Sequence, residues 1–333
     1  MNVFIKGISY YLPEKALTNE QLVSDFPEWT VDKIAEKIGI KKRHIAAENE
    51  TALDMAVAAS EKLFDEYGID SASVDFVLLC TQSPDYFLPT SACIVQDRLN
   101  LSINCGALDF NMGCSGFVYG LSLAKGLICA GIANNVLLIT SETYSKHLHP
   151  KDKGNRTIFG DAACATFIST EGFAKIGDFS LGTDGKGANN LIVKSGAFRQ
   201  PVKSEKIIYD ESENPISDDY LYMNGSEIFS FTLEAVPLLV ESTLRKNSLI
   251  KENIDLFVFH QANKYMMDFL RKKIKIDPAK FYYCLENVGN TVSSTIPISL
   301  KEALMDSSIK QGDRILIAGF GVGYSWGGTV LNF

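Results

Sequence analysis

Three residues have types and surroundings suited to covalent catalysis. Cys114 stands in Asp109–Phe117 (DFNMGCSGF), where an apolar strand gives way to a glycine-bearing turn and then a helix. A thiol there meets the unpaired N–H groups and positive dipole of the helix start, which favour the thiolate below the usual ~8.5. Apolar burial acts the other way, so reactivity calls for a neighbouring imidazole or dipole. His260 ends an apolar strand and opens His260–Asn263 (HQAN), and Asn290 lies in Glu286–Ser294 (ENVGNTVSS), another glycine-bearing turn into a helix. A lone histidine at a strand end is more often structural. Three such turns alike, carrying a thiol, an imidazole and a carboxamide, are a different matter.

The elements that must hold these turns alternate in type, which argues for an α/β architecture. A helix is expected from Thr51, followed by a strand over Val74–Cys80 (VDFVLLC). The long helix from Cys114 to Ala130 leads to strands over Asn135–Thr140 and Ala162–Ile168. That helix carries one formal charge, Lys125, so it is expected to be covered on all sides, sandwiched between sheets. The second half repeats the grammar: Ile254–His260 reads like Val74–Cys80, Gly312–Ala318 like the run around Ile139, and Gly328–Asn332 like the strand after Asp161. The same order at an offset of about half the length points to an internal duplication, with the break near Thr170–Gly177. Residues 186–220, rich in Gly, Asn, Ser and Pro, read as a surface excursion carrying a hairpin or two.

Composition narrows the function. Of 333 residues, 40 are acidic and 32 basic, a net charge of −8, the reverse of what a non-specific nucleic-acid binder needs. No run approaches the ~18 apolar residues of a membrane helix, and the first residues read as strand and turn rather than signal peptide. Seven cysteines, mostly in apolar runs and without a Cys-x-x-Cys pair, are expected as reduced thiols of a cytoplasmic protein. His147 and His149 have no cysteine or carboxylate cluster beside them, so no metal site is expected.

Seven segments in order resemble the β-ketoacyl-acyl-carrier-protein synthase III family of the thiolase superfamily. They are Gly39–Ile45 (GIKKRHI), Gly113–Phe117 (GCSGF), Phe159–Ala163 (FGDAA), Met223–Phe229 (MNGSEIF), His260–Asn263 (HQAN), Gly289–Thr291 (GNT) and Gly319–Gly327 (GFGVGYSWG). The resemblance implies a thiolase-like five-layer α-β-α-β-α fold of two duplicated halves, 1–172 with the nucleophile and 173–333 with His260 and Asn290. It implies an obligate homodimer without metal or redox cofactor, and a Cys-His-Asn site at the bottom of a tunnel admitting a pantetheine arm. Cys114 would be acylated by an acyl-coenzyme A, with the backbone N–H groups of Cys114 and Val322 as oxyanion donors. His260 and Asn290 would then hold the thioester oxygen of a malonyl-acyl carrier protein during decarboxylative condensation. A same-fold acyltransferase forming esters or amides, or condensing coenzyme A thioesters, is the alternative.

The resemblance also marks a substrate path and its departures. Trp29 matches a tryptophan that stacks on the coenzyme A adenine, Lys37 is a phosphate partner, and Gly225 and Phe320 line the path. Leu88 takes the place of a bulky aromatic that limits the acyl pocket across the dimer interface, which points to a longer or branched acyl group and a specialised relative. Val322 stands where many members have glycine, keeping the amide while adding a side chain. Tyr265 replaces a common arginine, yet Lys264, Lys272 and Lys273, with Arg271 and Lys275, keep that helix basic for an acidic carrier protein.

Overall fold

The computed structural model describes residues 1–211 and 213–333. Strand β1 (Phe4–Tyr11) comes first, followed by helices α1 (Val31–Ile38) and α2 (Ala52–Tyr67). Thr51 is the N-cap of α2: its hydroxyl accepts the Asp54 N–H at 3.2 Å while the Asp54 carboxylate accepts the Thr51 N–H at 2.9 Å. That capping box explains why the helix starts there. Strands β2 (Phe76–Cys80) and β3 (Gly106–Phe110) lead to helix α3 (Gly116–Cys129), then to β4 (Val136–Glu142) and β5 (Ala162–Ser169). Their sheet runs β3-β2-β4-β5-β1, with β2 parallel to both neighbours and β5 antiparallel to β4 and β1. Every residue of β4 and β5 is buried, as expected of strands covered on both faces.

The short strand β6 (Ala174–Ile176) falls at the expected break, followed by β7 (Ser180–Thr183) and helix α4 (Gly225–Lys246). Strand β8 (Leu256–Phe259), helices α5 (Lys264–Ile274) and α6 (Thr295–Met305), and strands β9 (Arg314–Gly321) and β10 (Ser325–Asn332) complete the chain. Here β8 is parallel to β9, β9 antiparallel to β10, and β10 antiparallel to β7. This repeats the β2, β4, β5, β1 pattern, and the counterpart of β3 shrinks to one parallel bridge between Phe257 and Phe281. Strand β6 pairs with both β1 and β10, joining the two sheets.

Helix α3 packs on β2 and β4 from one sheet and on β9 and β10 from the other, and α6 lies likewise between β1, β5 and β8. Helices α2 and α4 cover the outer faces, giving five layers. The apolar composition of α3 follows from its central place. Its covering is incomplete, since Leu123, midway along it, is 41% exposed. Lys125 extends its ammonium to the carbonyls of Ile176 (3.2 Å) and Gly177 (2.9 Å), which satisfies the charge at the edge of the layer.

The 186–220 excursion holds the expected hairpin pairing, Ile208–Tyr209 with Pro215–Ile216. Near its start Leu191–Ile192 pairs with Tyr222–Met223, just beyond its end, and that pairing carries Leu191 and Met223 into the interior. Among the described residues no helix is long and apolar enough to cross a membrane.

Candidate active site

Cys114 lies in the turn between β3 and α3, with Ser115 as the N-cap of the helix. The Ser115 hydroxyl bonds the Ser325 hydroxyl at 2.7 Å, tying the turn to the start of β10. Strand β9 presses on it from the other side: a Cβ on Gly321 would lie 2.9 Å from Cys114 Cβ and 3.1 Å from Sγ. Only a residue without a side chain permits that approach. Cys114 is buried, and burial together with the Glu142 carboxyl pushes its thiol up to about 12. The helix start therefore does not make a resting thiolate here; desolvation outweighs it.

His260 follows β8 directly, its N–H bonded to the Ala318 carbonyl at 2.8 Å. Gln261 staples the turn, donating to the Phe259 carbonyl (2.8 Å) and accepting the Cys284 N–H (2.8 Å), and Asn263 caps α5. These two polar residues of the motif are thus spent on backbone. The imidazole stands edge-on to Phe320 at 5.7 Å, and Nδ1 lies 2.7 Å from Thr295 Oγ1. Burial pushes its pKa down to about 3, so the ring is neutral at physiological pH.

Asn290 sits after Gly289, whose φ of +77° is a left-handed conformation natural to glycine. Its backbone N–H donates to the Ile158 carbonyl and its carbonyl accepts the Gly160 N–H, both at 3.0 Å. Its side-chain Oδ1 accepts the Val292 N–H at 2.9 Å. An N–H can only donate, so the atom facing Val292 is the oxygen and the amide NH₂ is turned the other way.

Cys114, His260 and Asn290 line one cavity of about 210 Å³, together with Gly225 and Phe320. The neighbouring wall is apolar, with Phe159, Leu191 and Met223 among its residues. The remaining expected residues lie elsewhere. Val322 packs its side chain against Gly113, and neither its N–H nor that of Cys114 has a protein acceptor among the described residues. Trp29 is half-buried just before α1, with the Lys33 ammonium 5.5 Å from its ring centre, and Lys37 is exposed in the last turn of that helix. Lys264 lines a separate groove between α1 and α5 with Gly39 and Tyr283, and Lys272 and Lys273 are exposed on α5. Leu88 is 80% exposed, and within one chain it does not reach the cavity. His147 and His149 face different partners, the Gln82 carbonyl and the Lys151 N–H.

Sequence reasoning passed over Thr295, Val292 and Glu142. Glu142 ends β4 fully buried, accepting from the Gln82 N–H (3.0 Å), Ser83 Oγ (3.1 Å) and Ser293 Oγ (3.4 Å). Burial still pushes its pKa up to about 8. A lone carboxylate closing an apolar strand was the available signal.

Residues 108–185 match the family described as 3-oxoacyl-[acyl-carrier-protein (ACP)] synthase III, and residues 244–333 match its C-terminal region. A beta-ketoacyl-[acyl-carrier-protein] synthase III of Clostridium perfringens is 36% identical over 332 residues, 99% of each chain. A crystal structure of a 3-oxoacyl-(acyl-carrier-protein) synthase III superposes with a TM-score of 0.97 at 50% identity, covering 100% of both chains. A 3-oxoacyl-(acyl-carrier protein) synthase from Burkholderia xenovorans LB400 gives 0.91 at 36% identity, covering 99% of this chain and 94% of the other. The chain therefore belongs to the 3-oxoacyl-[acyl-carrier-protein] synthase III family and has its thiolase-like fold.

Proposed function

We propose that the protein is a condensing acyltransferase that joins an acyl group from acyl-coenzyme A to malonyl-acyl carrier protein, releasing carbon dioxide and a β-ketoacyl-carrier protein. Cys114 is the nucleophile. Its sulfur attacks the acyl thioester carbonyl, coenzyme A leaves as the thiol, and the acyl group stays on the sulfur. The Cys114 and Val322 amides stabilise the oxyanion, such donors being worth about 3–4 kcal/mol each. Loss of carbon dioxide from the malonyl thioester then leaves an enolate, whose carbon attacks the acyl-sulfur carbonyl; the acyl–sulfur bond breaks and Cys114 returns as the thiol. His260 and Asn290 donate to the enolate oxygen. A neutral imidazole and an oriented carboxamide stabilise negative charge that develops only in this step. The observation that carries this reading is the single cavity shared by the three side chains.

The family resemblance extends this reading to a substrate path. Gly225 and Phe320 border the pantetheine arm, Trp29 and Lys37 on and beside α1 meet the coenzyme A nucleotide, and Lys264, Lys272 and Lys273 on α5 meet the acidic carrier protein. No metal or redox group has a step in this chemistry. We place the boundary between the halves at 172/173, just before β6. A homodimer is supported by β3, an edge strand of the sheet with Leu108 exposed, and by exposed Phe87 and Leu88 nearby in sequence. There Leu88 would border the partner's acyl pocket. A cytoplasmic setting is supported by seven free cysteines.

The test is product formation. With a panel of acyl-coenzyme A primers and malonyl-carrier protein, mass spectrometry is expected to find β-ketoacyl-carrier protein and released carbon dioxide. Acyl transfer to other acceptors without decarboxylation would overturn the reading.

A further inference from the structure

We infer that Thr295 is the positioning residue that fixes the tautomer of His260, its hydroxyl donating to Nδ1 so that Nε2–H is presented to the cavity. The inference rests on the role of His260 as a hydrogen-bond donor given above and supplies the means by which that role is held.

Thr295 and His260 are both buried, and their contact at 2.7 Å is the one hydrogen bond of the imidazole to a side chain among the described residues. A neutral imidazole has one N–H and one bare lone pair, and a buried lone pair without a donor is costly. The Thr295 hydroxyl has a single proton and two acceptors in reach, His260 Nδ1 at 2.7 Å and the Val292 carbonyl at 3.1 Å. The shorter contact to the more basic acceptor takes the proton. Nδ1 is then the acceptor, and Nε2 carries the hydrogen.

Asn290 is set in the same sense a few residues away. The Val292 N–H holds its Oδ1, which leaves its NH₂ as the free end. Val292 adopts φ +56°, a left-handed conformation that a β-branched residue adopts only under constraint. The constraint is visible in the two residues that follow: Ser293 Oγ reaches Glu142 at 3.4 Å, and Ser294 Oγ bonds Thr140 Oγ1 at 2.9 Å and the Thr140 carbonyl at 3.0 Å. Residues 292–295 thus act as one clamp on both donors, with Val292 orienting the carboxamide and Thr295 the imidazole.

The test reads the tautomer directly. In ¹⁵N-histidine-labelled protein, with the His260 signals assigned by their loss in His260→Asn, Nε2 is expected to be protonated and Nδ1 bare. Thr295→Ser keeps the donor and this pattern; the isosteric Thr295→Val shifts the population towards Nδ1–H. Malonyl-thioester decarboxylation is expected to lose about 10–100-fold in kcat in Thr295→Val with little change in KM, and to recover within about threefold in Thr295→Ser. Acylation of Cys114 falls by less than about threefold in either. A protonated Nδ1 in the wild-type protein, or wild-type decarboxylation by Thr295→Val, overturns the proposal. The wild-type spectrum decides even if Thr295→Val fails to fold. It also stands apart from the proposed activity, whose failure would appear as wild-type protein that turns over no thioester.

Discussion

The turn that carries Cys114 and the two turns that carry His260 and Asn290 position their groups by opposite means. The sulfur is held by close packing, with Gly321 of β9 against it where a side chain would not fit. The imidazole and the carboxamide are held by hydrogen bonds that occupy one polar atom of each and leave the other free. The first arrangement fixes where an attack occurs; the second fixes which way donors point. Added atoms should therefore damage the nucleophile side, and lost hydrogen bonds the donor side.

The sharpest break is Cys114→Ala, which is expected to abolish condensation altogether. Next come His260→Ala and Asn290→Ala, each expected to slow malonyl-thioester decarboxylation by about 10²–10³-fold while leaving more of the acylation step. Equal loss of both steps would erase the division of labour. Gly321→Ala should show the converse, with acylation slowed about 10–100-fold and folding retained, because a methyl group would meet Cys114. A normal acylation rate in that variant would show that packing does not set the sulfur.

Two pH measurements sharpen the contrast further. With the thiol pushed up to about 12, alkylation of Cys114 by iodoacetamide in the free protein should rise about tenfold per pH unit from neutral into the alkaline range. A plateau near neutrality would mean a resting thiolate. Glu142 gives a smaller effect on stability. Its folded pKa of about 8 lies above the ordinary 4.5, so the folded state retains a proton that the unfolded state releases. That contribution is full below about 4.5 and lost as pH rises through about 8, so Glu142→Gln should lose less thermal stability than wild type between pH 6 and 9. Parallel declines would contradict the assignment.

Much of this could be read in the chain because the strands are buried on both faces. Runs such as Val136–Thr140 and Ala162–Ile168 are apolar end to end and identify themselves, and so does a cysteine between glycines. What the residues could not disclose depends on packing between distant segments. The outcome at the Cys114 thiol turns on how deeply α3 lies between two sheets, so burial and the helix start could be named as opponents but not ranked. Thr295 reads as an ordinary first-turn helix residue until α6 docks beside the end of β8 and brings its hydroxyl to His260. Likewise Leu191 belongs to a stretch that looks like surface, and only its pairing with Met223, just beyond that stretch, turns it inward. Leu88 is exposed in the single chain, so its proposed place at an acyl pocket calls for a second chain that one sequence does not display.

The central claim is that the cavity shared by Cys114, His260 and Asn290 is where an acyl group is taken up and held. Intact-mass spectrometry after mixing with short acyl-coenzyme A thioesters, followed by peptide mapping, addresses it most directly. The account predicts one acyl adduct per chain, located on Cys114, absent from Cys114→Ala and discharged on adding malonyl-carrier protein. An unlabelled protein across the whole panel, or an adduct on another residue that malonyl-carrier protein leaves in place, would contradict it.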